Sequence, residues 1–403
     1  MILKKATGNT KIREEHKREI LNYIRRFGPV SRTDIFEKTN ISKPTVTRVI
    51  EALMAEGMIR EMGTAESSVG RRPVNIEINP AACFCVGVNI SRNTLSASMV
   101  DLGMNVVNKK SLSIKGISDA IIFRDMVADT IRELIEDSKV DTGKIIGIGI
   151  GAPGIVDYKN GIIMDFATAH RLVNIHLKDF LEEKLGLKVL VDNNANTRAL
   201  GEYGYGYGSG YKDIIFVICS EGIGSGIITG GNMLRGKSNV TSGLGHMTVN
   251  SGGRKCMCGG YGCIESYCST EAIEDMAKEA LRRGRKSALV EKCGPDLDAL
   301  DYKMICQCAK EGDSLSLQLL EEASCVLGKG IANLVGIFNP EIIILSGTLF
   351  DASDYFYNNV IDVVKQGIFS PLSQDVIFKK RKVKDSLYEV GAATMIFKEI
   401  FRD

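Results

Sequence analysis

The chain has 403 residues, of which 44% are hydrophobic and 25% are charged. This length predicts two or three domains, and the average composition excludes a disordered, fibrous or disulfide-scaffold protein. No run approaches the roughly 18 uninterrupted apolar residues of a membrane span, and the charged start of the chain lacks the apolar core of a secretion signal. We therefore expect a cytoplasmic protein with no membrane partner.

The small net charge of +2 is unevenly distributed along the chain. The first 80 residues contain 15 Lys and Arg against 10 Asp and Glu, whereas the remainder carries a net charge of −3. Such asymmetry favours a nucleic-acid partner at the N-terminal end, although a basic solvated surface gives the same pattern.

Three helices are predicted at the start of the chain. Apolar residues recur at helical spacing over residues 11–27. Ser31 and Asp34 have the spacing of a capping box for a second helix, which runs to about residue 39. Ser42 is predicted to cap a third helix, with a proline in its first turn.

The third helix is the candidate recognition helix of a helix-turn-helix. Its predicted buried stripe consists of Val46, Val49, Ile50, Leu53 and Met54. Its predicted DNA-contacting residues, which fall away from that stripe near the helix start, are Lys43, Thr45, Thr47 and Arg48. A recognition helix enters the major groove by its first residues, so double-stranded DNA is the predicted partner.

A wing follows the third helix. Two β-like runs, 58–62 and 74–78, flank a polar loop that contains Arg71 and Arg72. Arginines on a slim loop suit the electronegative minor groove, so both are predicted DNA contacts. The alternative is a small helical protein-interaction domain with a basic surface.

The rest of the chain predicts an α/β fold. Predicted strands cover residues 84–90, 95–100, 106–114, 145–150, 189–191, 214–219, 226–229 and 342–345. Predicted helices cover residues 119–138, 177–185, 195–204, 270–283 and 314–338. Glycine clusters that follow several of these strands indicate a paired-lobe fold that binds a sugar or a nucleotide.

A metal site is predicted from one short segment. His246, Cys256, Cys258 and Cys263 form a Cys₃His set, which closes the coordination shell of a structural zinc ion, one per chain. The alternative is a group of reduced thiols without a metal. The cysteines within apolar runs are predicted core residues, for example Cys83, Cys85, Cys219, Cys306 and Cys325.

Several motifs together resemble the ROK family of repressors, open reading frames and sugar kinases. The resemblance is carried by residues 149–157 (GIGAPGIVD), 191–202 (VDNNANTRALGE), 220–226 (SEGIGSG), 245–247 (GHM) and 256–265 (CMCGGYGCIE). It implies a two-lobed actin- and hexokinase-like, ribonuclease H-like body with a sugar cleft between the lobes and a zinc ion beside it. Members of the family are commonly dimers or tetramers, so we expect a homodimer or homotetramer.

The resemblance also implies domain boundaries. The winged helix-turn-helix is placed at residues 1–80 and the ROK domain at residues 81–403. Within the ROK domain, lobe 1 is expected at about 81–197 together with a C-terminal helix at 386–403, and lobe 2 at about 198–385.

The family pattern places the zinc ligands on the four residues named above. It places the sugar contacts on Gly154, Asn193, His246 and Glu265, and the predicted effector-binding residues also include the neighbouring Asn194. For Asn193, a helix-capping turn residue is an equally good interpretation from residue type alone.

Departures from the family pattern argue against catalysis, and no catalytic residue is predicted. The kinases have an Asp-x-Gly-Gly-Thr loop where this chain reads Asn-Ile-Ser-Arg-Asn over residues 89–93, and their general base is an aspartate where this chain has Asn194. The sequence therefore predicts a sugar-controlled transcriptional repressor of carbohydrate-metabolism genes. The alternatives are an ATP-dependent sugar kinase, and a regulator controlled by a protein partner. The family usually has a glutamate that binds a sugar hydroxyl where this chain has Gly243, and this difference favours the last alternative, control by a protein partner.

Overall fold

A computed structural model describes residues 9–64, 74–166, 172–237, 243–294, 296–368, 375–383 and 387–401. Over these residues the chain forms an N-terminal winged helix and two α/β lobes, each built on a five-stranded sheet. The predicted order, with a helical head before an α/β body, is confirmed. Among the helices of these ranges, none is both long enough and apolar enough to span a membrane.

The head contains three helices and a three-stranded antiparallel sheet with the order β1-β3-β2. Its elements are α1 (Asn9–Phe27), β1 (Val30–Ser31), α2 (Arg32–Thr39), α3 (Lys43–Ala55), β2 (Ile59–Thr64) and β3 (Val74–Ile78). The predicted capping box is confirmed, because the Ser31 hydroxyl accepts the Asp34 N–H at 3.2 Å and the Asp34 carboxylate accepts the Ser31 N–H at 2.8 Å. Ser42 occupies the N-cap position of α3, but its predicted side-chain cap is wrong. Its hydroxyl contacts the Thr45 hydroxyl at 3.0 Å and caps no backbone N–H.

Lobe 1 is built on a sheet with the strand order β11-β7-β4-β5-β6. Its elements are β4 (Phe84–Ile90), β5 (Thr94–Asp101), β6 (Val106–Ser113), α4 (Ala120–Ser138), β7 (Ile145–Ala152), β8 (Ile155–Asp157), β9 (Ile162–Asp165), β10 (Val173–His176), α5 (Leu177–Leu185) and β11 (Val189–Asn193). Strands β8 to β10 form a separate small sheet, which the sequence did not predict.

Lobe 2 follows α6 (Asn194–Tyr205) and is built on a sheet with the strand order β14-β13-β12-β15-β16. Its elements are β12 (Ile214–Cys219), β13 (Ile223–Thr229), β14 (Asn232–Met233), α7 (Glu265–Cys268), α8 (Thr270–Arg282), α9 (Leu289–Cys293), α10 (Tyr302–Lys310), α11 (Ser314–Phe338), β15 (Ile342–Ser346), α12 (Thr348–Ala352), α13 (Asp354–Gly367) and β16 (Ile377–Arg381). Both lobes therefore repeat one pattern, in which three antiparallel strands are extended by two parallel strands.

The C-terminal helix α14 (Tyr388–Phe401) joins the parts of the molecule. It packs on α6, on β4 and on β7, and it also contacts α1 of the head. Two strand glycines allow this close approach. A Cβ atom on Gly87 or on Gly149 would lie 1.9 Å from a backbone oxygen of α14. Glycine, which has no Cβ atom, is therefore required at these two positions for the helix to lie on the sheet.

The head and lobe 1 share one apolar core. This cluster contains Ile24 and Leu53 of the head, Leu102 of lobe 1 and Phe397 of α14, all of them buried. Arg25 of α1 donates a hydrogen bond to the carbonyl oxygen of Gly204, next to the end of α6, at 3.2 Å. The head is therefore anchored to the body through both α14 and α6. The predicted boundary between residues 197 and 198 falls inside α6, and the domain limits remain predictions.

Candidate functional site

The four predicted zinc ligands lie together at one corner of lobe 2. One ligand atom from each of His246, Cys256, Cys258 and Cys263 lies within 4.8 Å of the others. The Sγ atoms of Cys258 and Cys263 are 3.7 Å apart, and Cys256 Sγ is 3.6 Å from His246 Nδ1. Zinc–sulfur bonds of about 2.3 Å place neighbouring sulfurs of a tetrahedral site about 3.8 Å apart. The side chains therefore have the composition and the spacing of a closed zinc site.

Glycines allow the chain to fold tightly around this position. Gly259 and Gly262 have φ values of +91° and +70°, which side chains other than glycine rarely adopt. A Cβ atom on Gly262 would lie 1.6 Å from the carbonyl oxygen of Asn250. Burial raises the pKa of the Cys263 thiol to about 12, so this thiol becomes a metal ligand only when a cation stabilises the thiolate.

Glu265 connects the metal-binding segment to β13, the strand of lobe 2 on which α6 packs. It is the first residue of α7, two residues after Cys263, and its Oε2 accepts the N–H of Ile223 at 2.8 Å. Ile223 begins β13. A metal ion on Cys263 would therefore fix the start of α7 and the Glu265 carboxylate together.

Asn193 and Gly154 form a second predicted group, in lobe 1. The Asn193 Nδ2 donates to the carbonyl oxygen of Gly154 at 2.8 Å, and its Oδ1 accepts the N–H of Ala195 at 2.8 Å. The capping interpretation of Asn193 is therefore confirmed. Each amide atom keeps capacity for one further hydrogen bond, so the cap does not exclude a ligand contact.

The two predicted groups are neighbours through β13. The start of α6 packs on this strand, and a Cβ atom on Gly224 would lie 3.3 Å from the Cβ of Ala195. Asn193, which caps the helix two residues before Ala195, therefore lies near the start of β13. Glu265 accepts a hydrogen bond from Ile223 at the start of the same strand. Asn194 is the first residue of α6 and is half-buried.

The recognition helix α3 presents its predicted contact residues at the surface. Lys43, Thr47 and Arg48 are exposed and Thr45 is half-buried, whereas Val46, Val49, Ile50 and Leu53 are buried. The buried stripe of α3 is confirmed except for Met54, which is half-buried. Arg71 and Arg72 lie outside the described residues.

An ion pair that the sequence analysis missed crosses between the lobes. Arg92, in the turn between β4 and β5, pairs with Glu271 in the first turn of α8. Burial raises the pKa of Glu221, beside the turn between β12 and β13, and the charge of Arg92 opposes this shift. Arg92 of lobe 1 therefore pairs with Glu271 of lobe 2, and its charge also acts on Glu221 of the same lobe.

The comparisons with known proteins cover both parts of the molecule. A family model described as winged helix-turn-helix DNA-binding matches residues 13–60, and one described as ROK family matches residues 85–399, which is most of the chain. The chain belongs to the ROK family.

Relatives within the ROK family include both regulators and kinases. The chain is 30% identical to the xylose repressor of Bacillus subtilis over 90% of each sequence. Its fold matches a solved ROK family transcriptional regulator, a homologue of the E. coli MLC protein, with a TM-score of 0.82 and 24% identity over 97% of this chain and 98% of the other. It also matches a ROK family glucokinase from Streptomyces griseus, solved with glucose and AMPPNP, with a TM-score of 0.65 and 26% identity over 77% of this chain and 98% of the other. The two-lobed fold that the resemblance implied is therefore confirmed.

Proposed function

We propose that this ROK protein is a transcriptional repressor of carbohydrate-metabolism genes, controlled by a sugar or sugar derivative that binds between its lobes. The observation that carries the proposal is the exposed basic face of α3, on a head that shares one apolar core with a sugar-kinase-like body. Because the head shares an apolar core with lobe 1 and α14, a movement of the body would also move the head. The similarity to a xylose repressor over 90% of each sequence supports the same function.

The proposed effector site uses Gly154, Asn193, Asn194, His246 and Glu265. Supporting this choice, Asn193 and Glu265 flank the start of β13, and the asparagine keeps free hydrogen-bonding capacity. Gly243 lies two residues before the Gly245-His246 pair, and a Cβ atom there would meet no described atom within 4 Å. The space that a glutamate side chain at this position would enter is therefore open among the described residues.

The proposed cofactor is one structural zinc ion per chain, held by His246, Cys256, Cys258 and Cys263. Zinc would supply the positive charge that ionises the buried thiols, and it would leave no open position for a reactive water. Because Nδ1 is the nitrogen of His246 that faces Cys256, Nε2 is left for the effector.

The proposed signal runs along helices. Asn193 caps α6, α6 packs on α14, and α14 contacts α1 of the head. In a homodimer or homotetramer, a change in lobe closure would change the spacing of two heads on a two-fold symmetric operator. The effector acts only through its different affinities for the two arrangements.

Arg48→Ala is expected to weaken operator binding by at least about 1 kcal/mol, because an exposed arginine near the start of a recognition helix contacts a base edge or a phosphate. Fluorescence anisotropy with DNA from upstream of the protein's own gene measures this loss. Arg132→Ala is the matched control, since Arg132 is also exposed but lies on α4 of the body. Equal DNA affinity in Arg48→Ala and the control would exclude α3 as the reading element.

The second candidate function is a sugar kinase, which the similarity to a glucokinase favours. Against it, an amide at Asn194 cannot accept a hydroxyl proton, and the turn at residues 89–93 has no carboxylate for a metal ion. A coupled ADP-release assay with xylose and glucose separates the two functions, and turnover that Asn194→Ala abolishes would establish the kinase.

A further inference from the structure

We infer that Arg235 is a positioning residue for effector binding, because it fixes the carboxylate that holds Asn193 in place. The inference deepens the proposed function and rests on it, since it takes Asn193 as a contact of the sugar. Arg235 belongs to none of the motifs of the sequence, and its partner Asp192, although it lies within the motif at residues 191–202, is not among the predicted site residues.

Asp192 ends β11 next to Asn193, and its side chain is only 2% exposed. Its Oδ1 accepts the backbone N–H of Asn193 at 2.7 Å and the Nδ2 of Asn196 at 2.9 Å. Its Oδ2 lies 2.6 Å from Arg235 Nη1. One buried carboxylate therefore holds both the backbone of Asn193 and the first turn of α6, and its negative charge is balanced by Arg235.

Arg235 reaches this carboxylate from the other lobe. It follows β14 of lobe 2, whereas Asp192 belongs to the sheet of lobe 1. Its guanidinium group also lies 3.6 Å from the ring centroid of Tyr158, which stands between β8 and β9. Arg235 thus bridges the two lobes at the residue that orients Asn193, and the position of that asparagine depends on how the lobes are arranged.

Loss of Arg235 would leave a buried carboxylate without a balancing charge, which is strongly unfavourable. The carboxylate would then take up a proton or turn towards water, and burial already raises the pKa of Asp192. Either change weakens the acceptor at Oδ1, so the Asn193 backbone and the start of α6 would no longer be held for the effector.

A second ion pair provides a matched control. Arg381, at the end of β16 in lobe 2, pairs with Glu202 on α6 through contacts of 2.6 and 2.8 Å, and its guanidinium lies 4.1 Å from the Tyr207 ring centroid. The side-chain exposures are 13% and 2%, against 18% and 2% for Arg235 and Asp192. Glu202 lies near the opposite end of α6, about 14 Å along the helix from Asn193 at 1.5 Å per residue.

The test compares Arg235→Gln with Arg381→Gln in the full-length protein. Urea unfolding without sugar measures stability, and titration calorimetry measures the Kd for xylose and for glucose. We expect both variants to lose stability, because each loses a buried ion pair. Only Arg235→Gln is expected to bind the sugar about tenfold more weakly. The reason is that the Asp192 carboxylate, without the balancing charge of Arg235, no longer holds Asn193 by its hydrogen bond. Arg235→Lys keeps the charge but loses the planar contact with Tyr158, so we expect an intermediate Kd.

Sugar affinity in Arg235→Gln equal to that of Arg381→Gln would overturn the inference and leave the proposed function standing. If the wild-type protein binds neither sugar, the proposed effector site fails and the positioning role fails with it. If Arg235→Gln does not fold, Arg235→Lys decides the matter, because a wild-type Kd in that variant contradicts a positioning role.

Discussion

Cys256→Ser is expected to reduce the zinc content from about one ion per chain to below about one per four chains after dialysis, because a structural site depends on all four ligands. The variant is also expected to lose its response to sugar. His246 and Glu265 lie at the two ends of the metal-binding segment, and without the ion neither is held beside β13. Elemental analysis measures the zinc, and operator binding with and without sugar measures the response.

Cys293→Ser is the matched control for this experiment. Cys293 is a half-buried thiol at the end of α9, outside the group of four ligands, and its Sγ donates to the carbonyl oxygen of Gly294, a bond that a serine hydroxyl retains. It should keep both the zinc and the sugar response. Binding of unliganded Cys256→Ser to DNA should also persist, because the head has its own helices and sheet. A zinc-free wild-type protein that still responds to sugar would exclude the structural role.

Gly149→Ala is expected to destabilise the protein by about 3 kcal/mol, the upper end of the usual cost of overpacking a core. The new Cβ would lie 1.9 Å from the carbonyl oxygen of Ala392 and 2.6 Å from its carbonyl carbon. These are backbone atoms of α14, so the strain is relieved only if the helix moves off the sheet. Urea unfolding, followed by circular dichroism, measures the change in the free energy of unfolding.

Gly336→Ala is a control with the opposite sign. Gly336 is exposed on α11, and a Cβ atom there would meet no described atom within 4 Å. Alanine in a helix is about 0.5–1 kcal/mol more favourable than glycine, so a small gain in stability is expected. A loss below about 1 kcal/mol in Gly149→Ala, less than overpacking usually costs, would show that α14 does not depend on this close approach.

The elements with strong hydrophobic patterns could be predicted from the sequence. The predicted run at residues 84–90 coincides with β4, and the predicted helix at residues 177–185 coincides with α5. The four candidate metal ligands could also be found from the sequence, because three of them fall within eight residues and this spacing brings them together. Local spacing is sufficient in such cases because the interacting residues are close along the chain.

Features that depend on distant residues could not be predicted. The ion pair of Arg92 joins residues 179 positions apart, and the pair of Arg235 with Asp192 requires two lobes to meet. Strands β8 and β9 contain three and four residues, too few to show an alternating pattern. The shared core of head and body was missed for the same reason, since α14 follows the rest of the chain and yet packs against its first helix.

The central claim is that one molecule reads DNA and responds to a sugar. Its most direct test is an anisotropy titration of the full-length protein with its own upstream DNA at physiological salt, repeated with saturating xylose or glucose. The account predicts sequence-specific binding and a change in affinity of about fivefold or more when an effector binds, the usual range of allosteric coupling. Equal affinity for unrelated DNA, or an affinity for the upstream DNA that neither sugar alters, would contradict it.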